Sequence, residues 1–499
     1  MLTAIVTTQQ IREVEHLTFA WGMPVAALME KVGCLLFERI THYYPRSTYP
    51  RVGLLVGPGH NGADALVIGR ELLLEGREVW AWLLKPGKDL TQAHQSYFEH
   101  VGGHVVTDIS ALADSTLLVD GIFGFGLERA PEGAYAEAIV WANHHPSPMV
   151  SVDVPSGLHT DTGQALGTTI KAERTFCLGL WKRGILQDHA LEYTGASELI
   201  GIGFSQGCMQ QILGSIPLVQ TLDASTMYPM LPLERPLATH KYQVGKALVL
   251  AGSPEYPGAG VLAGLGCRAS GVGLVTMAVA DSLRSLVITH LPDAVLVRPT
   301  EVQGDFADFQ ALLCGPGMLS NPSLLQGILK TSHIPMVLDA GALSSLVGHL
   351  PWLQEAAIPI VLTPHVGEFK RVFPDIELED RIEAAQEAAK QSRAVVGLKG
   401  ARTVIAHPQG PVRVNIESTP ALARGGSGDV LAGLITGLIA QGLDSFEAAC
   451  AGVWWHSQAG IYLARQRSVL GVDPYPLSSG PDFPCDSQKR NAPVNAQGL

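Results

Sequence analysis

The stretch Ala421–Gly433, ALARGGSGDVLAG, decides the fold class and the chemistry of the second half of the chain. Its glycines Gly425, Gly426 and Gly428 stand where a long apolar helix begins. The first N–H groups of a helix have no partner within the helix, and together with the helix dipole they form a site for a phosphoryl group. Asp429 is placed to accept the proton of a hydroxyl that attacks phosphorus. The structural alternative is a helix N-cap whose glycines serve only the geometry of the turn.

Short apolar strands alternate with helices on both sides of this stretch, a pattern typical of a parallel sheet covered by helices on both faces. In the second half the predicted strands are Lys246–Ala251, Gly273–Ala280, Ala311–Cys314, Met336–Asp339, Ile360–Thr363, Ala394–Leu398, Thr403–Ala406 and Val412–Asn415. In the first half they are Arg51–Val56, Glu78–Leu84, Thr116–Asp120 and Met149–Val154, with predicted helices at Thr8–Ala20, from Pro24 to Ile40 and at Ala63–Glu75.

The length of 499 residues exceeds what one hydrophobic core organises, so the chain is expected to form more than one domain. We expect a first domain over residues 1–214, a Pro-containing linker over 215–238 and a second domain over 239–473. The polar, Pro-rich tail, residues 474–499, is expected to be disordered.

Charge and cysteine usage limit the possible partners and compartments. The net charge of −12 argues against nucleic acid as a partner, because such a partner requires a broad basic face. Seven cysteines without a C-x-x-C pair fit a reducing cytosol and argue against a disulfide framework or structural zinc. The N-terminus lacks the features of a signal peptide, and the apolar run Val430–Leu443 is too short to span a bilayer. A soluble, cytoplasmic protein without a membrane partner is expected.

Small and polar motifs follow several of the predicted strands in the second half. They are GPG at Gly315–Gly317, TPHVGEF at Thr363–Phe369 and KGART at Lys399–Thr403. Ligands of open α/β sheets bind at the carboxyl ends of strands, where these motifs would meet the Asp429 helix. The chain contains no G-x-x-x-x-G-K-[ST] motif, so a P-loop enzyme is not indicated.

Together with Ala251–Ser253 and Tyr256–Ala259, these motifs resemble the ribokinase-like superfamily and, within it, the NAD(P)H-hydrate dehydratase family, from His240 to about Arg465. The resemblance implies phosphorylation of hydrated NADH or NADPH by ADP or ATP with Mg²⁺, and then loss of phosphate. Asp429 would be the catalytic base. The nucleotide would be bound by Lys399, Gly400, Ala401, Arg402, Thr403 and Gly428, and the hydrate by Ala259, Gly317, His365 and Asp429.

The first half carries its own glycine motif, Gly57–Asp64, which follows a strand and opens a helix. It satisfies G-x-G-x-x-G, so a Rossmann dinucleotide site is the first interpretation, although Glu78 is only an approximate match for the ribose-binding acid. Asp120 and Asp153 each stand where a strand ends. A single aspartate in that position is as often a structural cap, but two beside a glycine motif indicate a site.

These motifs resemble the NAD(P)H-hydrate epimerase family over about residues 8–205. The resemblance implies a K⁺ site at Asn61, Asp120 and Ser156, whose hard oxygen ligands suit that cation, and Asp153 as catalytic acid–base. The hydrate would be bound by His60, Asn61, Gly62, Ala63, Asp64, Gly124, Phe125, Gly126, Leu127, Glu128, Arg129, Ala130, Tyr135 and Asp153. Departures from the family pattern are His60, Ala63 and Phe125, and Lys31 and Val32 after the first Met-Glu.

The sequence therefore predicts an α/β protein of two domains, an N-terminal Rossmann-like three-layer sandwich and a C-terminal ribokinase-like domain. The favoured function is a bifunctional repair enzyme, forming a homo-oligomer, that epimerises hydrated NAD(P)H and then dehydrates the S epimer. One alternative is a kinase of a vitamin precursor, which would release a phosphorylated product. Another is that the N-terminal half is a binding module without catalysis.

Overall fold

The computed structural model describes residues 3–85, 87, 89–302 and 306–477, and the chain divides into two compact units. The first unit comprises the residues up to Leu222 together with Asp375–Glu387 and Gln409–Ile416. The second unit comprises Asp223–Pro374, Ala388–Pro408 and the residues from Glu417 onward. Two segments that lie late in the sequence therefore belong to the first unit.

The strands of the described residues are short, and most are buried, as expected for sheets covered on both faces, whereas the edge strands His104–Val106, Ala196–Ile200 and Val295–Val297 are only partly buried. They are β1 Ile5–Val6, β2 Arg51–Val56, β3 Glu78–Leu83, β4 His104–Val106, β5 Leu117–Gly121, β6 Met149–Val152, β7 Arg174–Leu178, β8 Trp181–Lys182, β9 Ala196–Ile200, β10 Val219–Thr221, β11 Lys246–Leu250, β12 Leu274–Ala278, β13 Val295–Val297, β14 Ala311–Cys314, β15 Met336–Leu338, β16 Ile360–Leu362, β17 Val395–Leu398, β18 Thr403–Ala406 and β19 Val412–Asn415.

Helices separate most of these strands along the chain. They are α1 Thr8–Ala20, α2 Val25–Tyr43, α3 His60–Leu74, α4 Asp89–His100, α5 Ala134–His144, α6 Leu191–Thr194, α7 Gln206–Leu213, α8 Ala224–Met227, α9 Pro257–Ala269, α10 Arg284–His290, α11 Pro322–Thr331, α12 Gly341–Ser345, α13 Pro351–Glu355, α14 Val366–Val372, α15 Arg381–Ser392, α16 Ser427–Ala440, α17 Ser445–Arg467 and α18 Pro474–Leu477.

The main sheet of the first unit is parallel, with the strand order β4-β3-β2-β5-β6-β7-β9. One face packs against α2 and α3, where Leu36 and Leu66 are fully buried. The other face packs against α5 through Ile139, which contacts the cluster of Leu55 and Leu118. Two smaller parallel pairs, β1 with β8 and β10 with β19, complete the strands of this unit. The α/β fold class and the three layers predicted for the first half are confirmed.

The sheet of the second unit has the order β18-β17-β16-β15-β14-β11-β12-β13. Its strands are parallel except for β17 and β18, which pair in antiparallel fashion. Helix α16, which carries the GGSGD motif, packs directly against α9. A Cβ added at Gly433 would overlap the carbonyl oxygen of Ala263, and one at Gly266 would overlap that of Val430. Glycine therefore allows the two backbones to touch, and this contact fixes the position of α16.

Several of the predicted elements differ from the observed ones at their ends, and the strands β4, β7, β9 and β13 were not predicted. Helix α3 begins at His60 and not at Ala63, because Gly59 is already the extended N-cap residue. The residues His60–Gly62, which precede the predicted start of the helix, therefore belong to its first turn, and all residues of His60–Asp64 except His60 are buried. The tail predicted to be disordered, residues 474–499, begins with helix α18, and the remainder lies outside the described residues.

Within the described ranges, no single helix is both long and apolar enough to cross a membrane. The pair α1 and α2, bent by 119°, passes the same test by length and composition only.

Candidate active sites

The GGSGD motif forms the N-terminus of α16. Gly426 is the N-cap in the left-handed region, with φ +91°, a conformation that favours glycine. In the part of the chain that the structure describes, the N–H groups of Gly428 and Asp429 donate no hydrogen bond. Since these donors lie at the positive end of the helix dipole, they can bind an anion. That this anion site binds the transferring phosphoryl group stays a prediction.

A buried network of charged and polar groups lies at the carboxyl ends of strands β15, β16 and β17. Nζ of Lys399, after β17, lies 2.8 Å from Oδ1 of Asp339, after β15. The hydroxyl of Thr363, after β16, donates to the same oxygen over 2.9 Å. Nζ of Lys399 is also 3.8 Å from Oε2 of Glu368. A Cβ added at Gly428 would stand 3.3 Å from this nitrogen, so the network lies directly beside the start of α16.

The electrostatics of this network act on Asp429. The pKa of Asp429 is raised to about 7, chiefly by burial and further by Asp339 and Glu368, while Lys399 opposes these effects. Burial alone would lower the pKa of Lys399, but Asp339 and Glu368 outweigh it, so that pKa lies above its usual value. A carboxyl whose pKa is near neutrality can both accept and return a proton, which is the property of a general base.

Helix α14 begins with a capping box that orients His365. Nδ1 of His365 accepts hydrogen bonds from the N–H of Gly367 at 2.9 Å and of Glu368 at 3.3 Å. The carboxylate of Glu368 accepts from the N–H of His365 at 2.9 Å. Nε2 of His365 lies 3.6 Å from Oε2 of Glu368, and the side chain of His365 is 58% exposed. His365 is thus available to a ligand while Glu368 stays buried.

The other residues predicted for this site fall into two places. Ala259 and Gly317 adjoin each other, since a Cβ added at Gly317 would stand 2.6 Å from Cβ of Ala259. The KGART segment forms the turn between β17 and β18, in which the Thr403 hydroxyl donates to the carbonyl of Gly400 over 3.2 Å. Gly400 and Ala401 are exposed at this turn, Arg402 is half-buried, and Thr403 is buried.

The first unit contains a cavity of about 400 Å³ at the start of α3. Eight of the residues predicted to bind the hydrate line it, namely His60, Asn61, Asp64, Gly124, Phe125, Gly126, Leu127 and Asp153. Apolar side chains of α1 and α2, including Phe19, Leu28 and Met29, form another part of its wall. The cavity therefore combines polar groups at strand and helix ends with an apolar surface, as ligand sites commonly do.

Asp153 is held in this cavity by an ion pair with Lys182. Nζ of Lys182 donates to Oδ1 of Asp153, and both side chains are almost fully buried. The N–H groups of Leu178 and Phe125 also donate to Asp153, at 3.1 and 3.3 Å. Asp153 has φ +68°, a conformation that aspartate tolerates better than most residues. Burial would lower the pKa of Lys182, but Asp153 raises it above its usual value.

Two further carboxyl groups line the same cavity. Burial raises the pKa of Glu15 to about 7, against the effect of Lys182 and with a contribution from Asp153. Burial also raises the pKa of Asp64 well above its usual value, and Asp153 and Glu15 add to the effect. Oδ1 of Asp64 and Nδ2 of Asn61 are buried without a hydrogen-bond partner among the described residues. Unsatisfied buried polar atoms that face a cavity are available to a ligand.

The residues predicted to bind K⁺ converge on the turn after β5. Asp120 is fully buried and accepts hydrogen bonds from Ser151, from the N–H and hydroxyl of Ser156, and from the N–H of Ile122, at 2.6 to 3.2 Å. Asn61 lies beside Gly124 in the same turn. No cationic side chain of the described residues pairs with Asp120. Asp120 is thus a buried carboxylate whose hydrogen-bond partners are all neutral, and the groups around it offer oxygen atoms as ligands. A monovalent cation fits this site in charge and in donor chemistry.

Some predicted residues lie away from the cavity wall. Tyr135 packs against Phe123, with ring centroids 5.2 Å apart, and Glu128 forms an ion pair with Arg12. Gly62 and Ala63 are buried in the first turn of α3. Arg129 and Ala130 follow in the same exposed loop as Glu128.

Sequence reasoning missed Lys182, Glu15 and Asp339. Asp339 stands at a strand end, the same signal that identified Asp120, and could have been found in this way. Glu15 lies four residues after Ile11, on the helix face that also buries Val14. That spacing places a carboxyl on an apolar face and is a usable signal. Lys182 had only the weaker signal of a lysine within an apolar run.

Comparison with known proteins agrees with this description. Residues 247–480 match a family described as NAD(P)H-hydrate dehydratase, and residues 25–184 match the YjeF-related protein N-terminus. The bifunctional NAD(P)H-hydrate repair enzyme Nnr of Synechocystis sp. is 46% identical, over 94% of this chain and 92% of that protein. The enzyme of the same name from Gloeobacter violaceus is also 46% identical, over 95% of this chain and 96% of that protein.

Among solved structures, the ADP/ATP-dependent NAD(P)H-hydrate dehydratase from Bacillus subtilis, co-crystallised with ATP and Mg²⁺, is 33% identical. It covers 52% of this chain and 94% of its own, with a TM-score of 0.48. The family resemblance predicted from the strand-end motifs is confirmed by the two full-length relatives. The chain belongs to the family of bifunctional NAD(P)H-hydrate repair enzymes.

Proposed function

We propose that this chain restores hydrated NADH and NADPH in two reactions, one in each unit. The first unit interconverts the R and S epimers, and the second dehydrates the S epimer at the expense of ADP or ATP. Membership of the family supports both activities. The observation that carries the proposal is Asp429, whose pKa is raised to about 7 beside the unpaired N–H groups at the start of α16.

In the dehydration, Asp429 accepts the proton of the hydrate's hydroxyl as that oxygen attacks the terminal phosphorus of the nucleotide. The bond from phosphorus to the leaving nucleotide breaks, and the N–H groups of Gly428 and Asp429 stabilise the charge on the transferring group. Hydroxide is a poor leaving group, whereas phosphate is a good one. Departure of phosphate with a proton from the neighbouring carbon then restores the ring double bond.

The charge of the second site fits a nucleotide that carries Mg²⁺. Three carboxyl groups, Asp339, Glu368 and Asp429, surround the single ammonium of Lys399. Mg²⁺ is usually bound by one or two carboxylates together with phosphate oxygens, so Asp339 and Glu368 are the residues that would hold it. When bound, the ion supplies charge neutralisation for the transferring phosphoryl group.

In the epimerisation, Asp153 is the residue that moves a proton at the hydroxyl of the hydrated carbon. Lys182 and the N–H groups of Leu178 and Phe125 fix its carboxylate in the cavity wall. Asn61, Asp120 and Ser156 would hold K⁺, which supplies the positive charge that Asp120 lacks. The remaining expectations are a cytoplasmic location and a homo-oligomer, and both stay predictions.

One assay tests the proposed function. Purified protein is added to mixed epimers of hydrated NADH with ADP or ATP, and absorbance at the reduced-nicotinamide band is followed. Conversion of the whole mixture supports both reactions, and comparison of the two nucleotides identifies the donor. Recovery of the S fraction alone contradicts the epimerase. A stable phosphorylated product without recovered NADH contradicts the dehydratase and indicates a small-molecule kinase.

A further inference from the structure

The cavity of the first unit contains an acidic side chain for which the proposed reaction has so far no use. Glu15 belongs to α1, whose buried face carries Ile11 and Val14, and it lines the cavity together with Asp153 and Lys182. Carboxyl groups are rarely placed on a buried helix face without a function, because desolvation of the charged form is costly. Its position therefore requires an explanation.

Glu15 is also without a partner in the part of the chain that the structure describes. No side chain forms a hydrogen bond or an ion pair with its carboxyl group, whereas Glu13 on the exposed face of α1 accepts a hydrogen bond from Gln9 at 2.9 Å. Lys182, the buried cation of the cavity, is paired with Asp153. Two carboxyl groups of one cavity thus have different environments, the condition that separates an acid from a base within one site.

We infer that Glu15 is a second acid–base residue of the epimerase site, acting with Asp153 on the hydrated carbon. The inference rests on the proposed function. Inversion of a carbon that carries a hydroxyl requires chemistry on both faces of the ring. Glu15 and Asp153 come from different elements, the helix α1 and the segment after β6, and both face the cavity in which the ring would lie.

The step balances without any further reactant. Hydration of the dihydronicotinamide places the hydroxyl on the carbon bonded to the ring nitrogen. Glu15 donates its proton to that hydroxyl, the C–O bond breaks, water leaves, and the nitrogen electron pair forms a C=N bond. Water then adds to the opposite face, the electron pair returns to nitrogen, and Asp153 accepts the proton. Nothing is oxidised or reduced, and the two carboxyl groups have exchanged one proton.

The protonation state agrees with this scheme. Burial raises the pKa of Glu15 to about 7, so that the carboxyl group holds its proton at and below neutral pH. The other titratable groups that line the cavity are His60 and Asp64 on α3 and the pair of Asp153 and Lys182. Since the active enzyme carries one proton between Glu15 and Asp153, loss of that proton above pH 7 should stop epimerisation in both directions.

The test is the Glu15→Gln variant of the full chain, assayed with a single purified epimer in the absence of nucleotide, so that the dehydratase is silent. Interconversion of the epimers is followed by chromatography, and the rate measured without protein is subtracted. We expect kcat/KM for epimerisation to fall by about 10²-fold or more. The wild-type rate should decline above pH 7, whereas the residual rate of Glu15→Gln should not. Glu13→Gln, on the exposed face of the same helix, should retain the wild-type rate and pH profile.

Dehydration of the S epimer with nucleotide should be unchanged in Glu15→Gln, which shows that the second unit is folded, and an unfolding midpoint equal to that of Glu13→Gln shows that the first unit is folded. A Glu15→Gln enzyme with the wild-type rate and the wild-type decline would overturn the inference, and so would equal loss of both activities. If Glu15→Gln does not fold, Glu15→Asp replaces it. This variant should epimerise more slowly than the wild type, and its rate should still decline above pH 7. An epimerisation rate of Glu15→Asp that does not change with pH overturns the inference. Absence of epimerisation in the wild type would instead refute the proposed function.

Discussion

Nζ of Lys399 lies 2.8 Å from Oδ1 of Asp339, a contact that joins the ends of β17 and β15 across the intervening strand β16. Asp339 is 3% exposed, so its charge depends on this partner. Since an unpaired buried charge is costly, the ion pair is a structural requirement of the second site as well as a feature of its electrostatics.

We predict that Lys399→Met destabilises the second unit and abolishes dehydration. Removal of one partner of a buried ion pair commonly costs about 3–5 kcal/mol, and loss of the ammonium also removes the group that lowers the pKa of Asp429. Thermal unfolding and recovery of NADH absorbance measure the two effects. Lys330→Met, at an exposed position of α11, is the control and should change neither. An unaltered unfolding midpoint in Lys399→Met would contradict this role of the pair.

Asp429→Asn should abolish dehydration and yet stabilise the folded chain at high pH. The pKa of Asp429 is about 7 in the folded state against an ordinary value of 3.8, so the folded state binds the proton more tightly than the unfolded state. The free energy of unfolding therefore decreases as pH rises from about 4 to 7, by up to about 4 kcal/mol for this group. Asparagine has no such dependence.

The measurement is the midpoint of thermal unfolding of both proteins at pH 5 and pH 8. The variant should gain more stability over the wild type at pH 8 than at pH 5, because at pH 5 only part of the effect of Asp429 is present. Nucleotide affinity should persist, because the N–H groups at the start of α16 are unchanged, while kcat falls by about 10²- to 10⁴-fold. Retained turnover would exclude Asp429 as the base. In the wild type, kcat/KM for dehydration should rise with pH through about 7, as Asp429 ionises.

Asp153→Asn should abolish epimerisation while dehydration of the S epimer continues. Asparagine is the appropriate replacement, since residue 153 has φ +68°, which asparagine tolerates and alanine does not. In the assay of mixed epimers, the wild type should convert the whole mixture and the variant only the S fraction. Full conversion by the variant would support the reading of the first unit as a binding module.

The K⁺ site predicts a cation dependence confined to the first unit. Replacement of KCl by NaCl at equal ionic strength should lower the epimerisation rate, because the smaller ion suits the oxygen set around Asp120 less well. The rate of S-epimer dehydration, followed in the same two salts, is the internal control for an effect on the nucleotide. Equal epimerisation rates in KCl and NaCl would argue against the ion.

The contact of α16 with α9 predicts an effect on stability that does not involve the reacting groups. Gly433→Ala places a methyl group onto the carbonyl oxygen of Ala263, so the helices must separate, at a cost of about 1–3 kcal/mol or more. Dehydration should weaken with it, since α16 carries Asp429. Gly327→Ala, in α11 with open space around it, should instead stabilise by up to about 1 kcal/mol. Equal unfolding midpoints of the two variants would refute the packing argument.

The sequence by itself determined the elements and the chemistry of individual segments. Apolar runs between helices predicted the parallel strands, and strand β2 has the predicted bounds Arg51–Val56. The glycines before Asp429 predicted the anion site at a helix start, and strand-end aspartates marked Asp120 and Asp153. Each of these features can be read from a short segment of sequence. That the strand-end residues lie close together follows from the parallel sheet, because the carboxyl ends of parallel strands meet at one edge whatever the sequence between them.

Only the tertiary structure decided which distant groups share an environment. It placed Lys182 and Glu15 beside Asp153, and Asp339 beside Lys399, and burial together with these charges shifts the pKa values of Glu15 and Asp429. It also assigned Asp375–Glu387 to the first unit, against the order of the chain. Burial and Coulombic interactions depend on separation in space, and separation along the chain does not determine it.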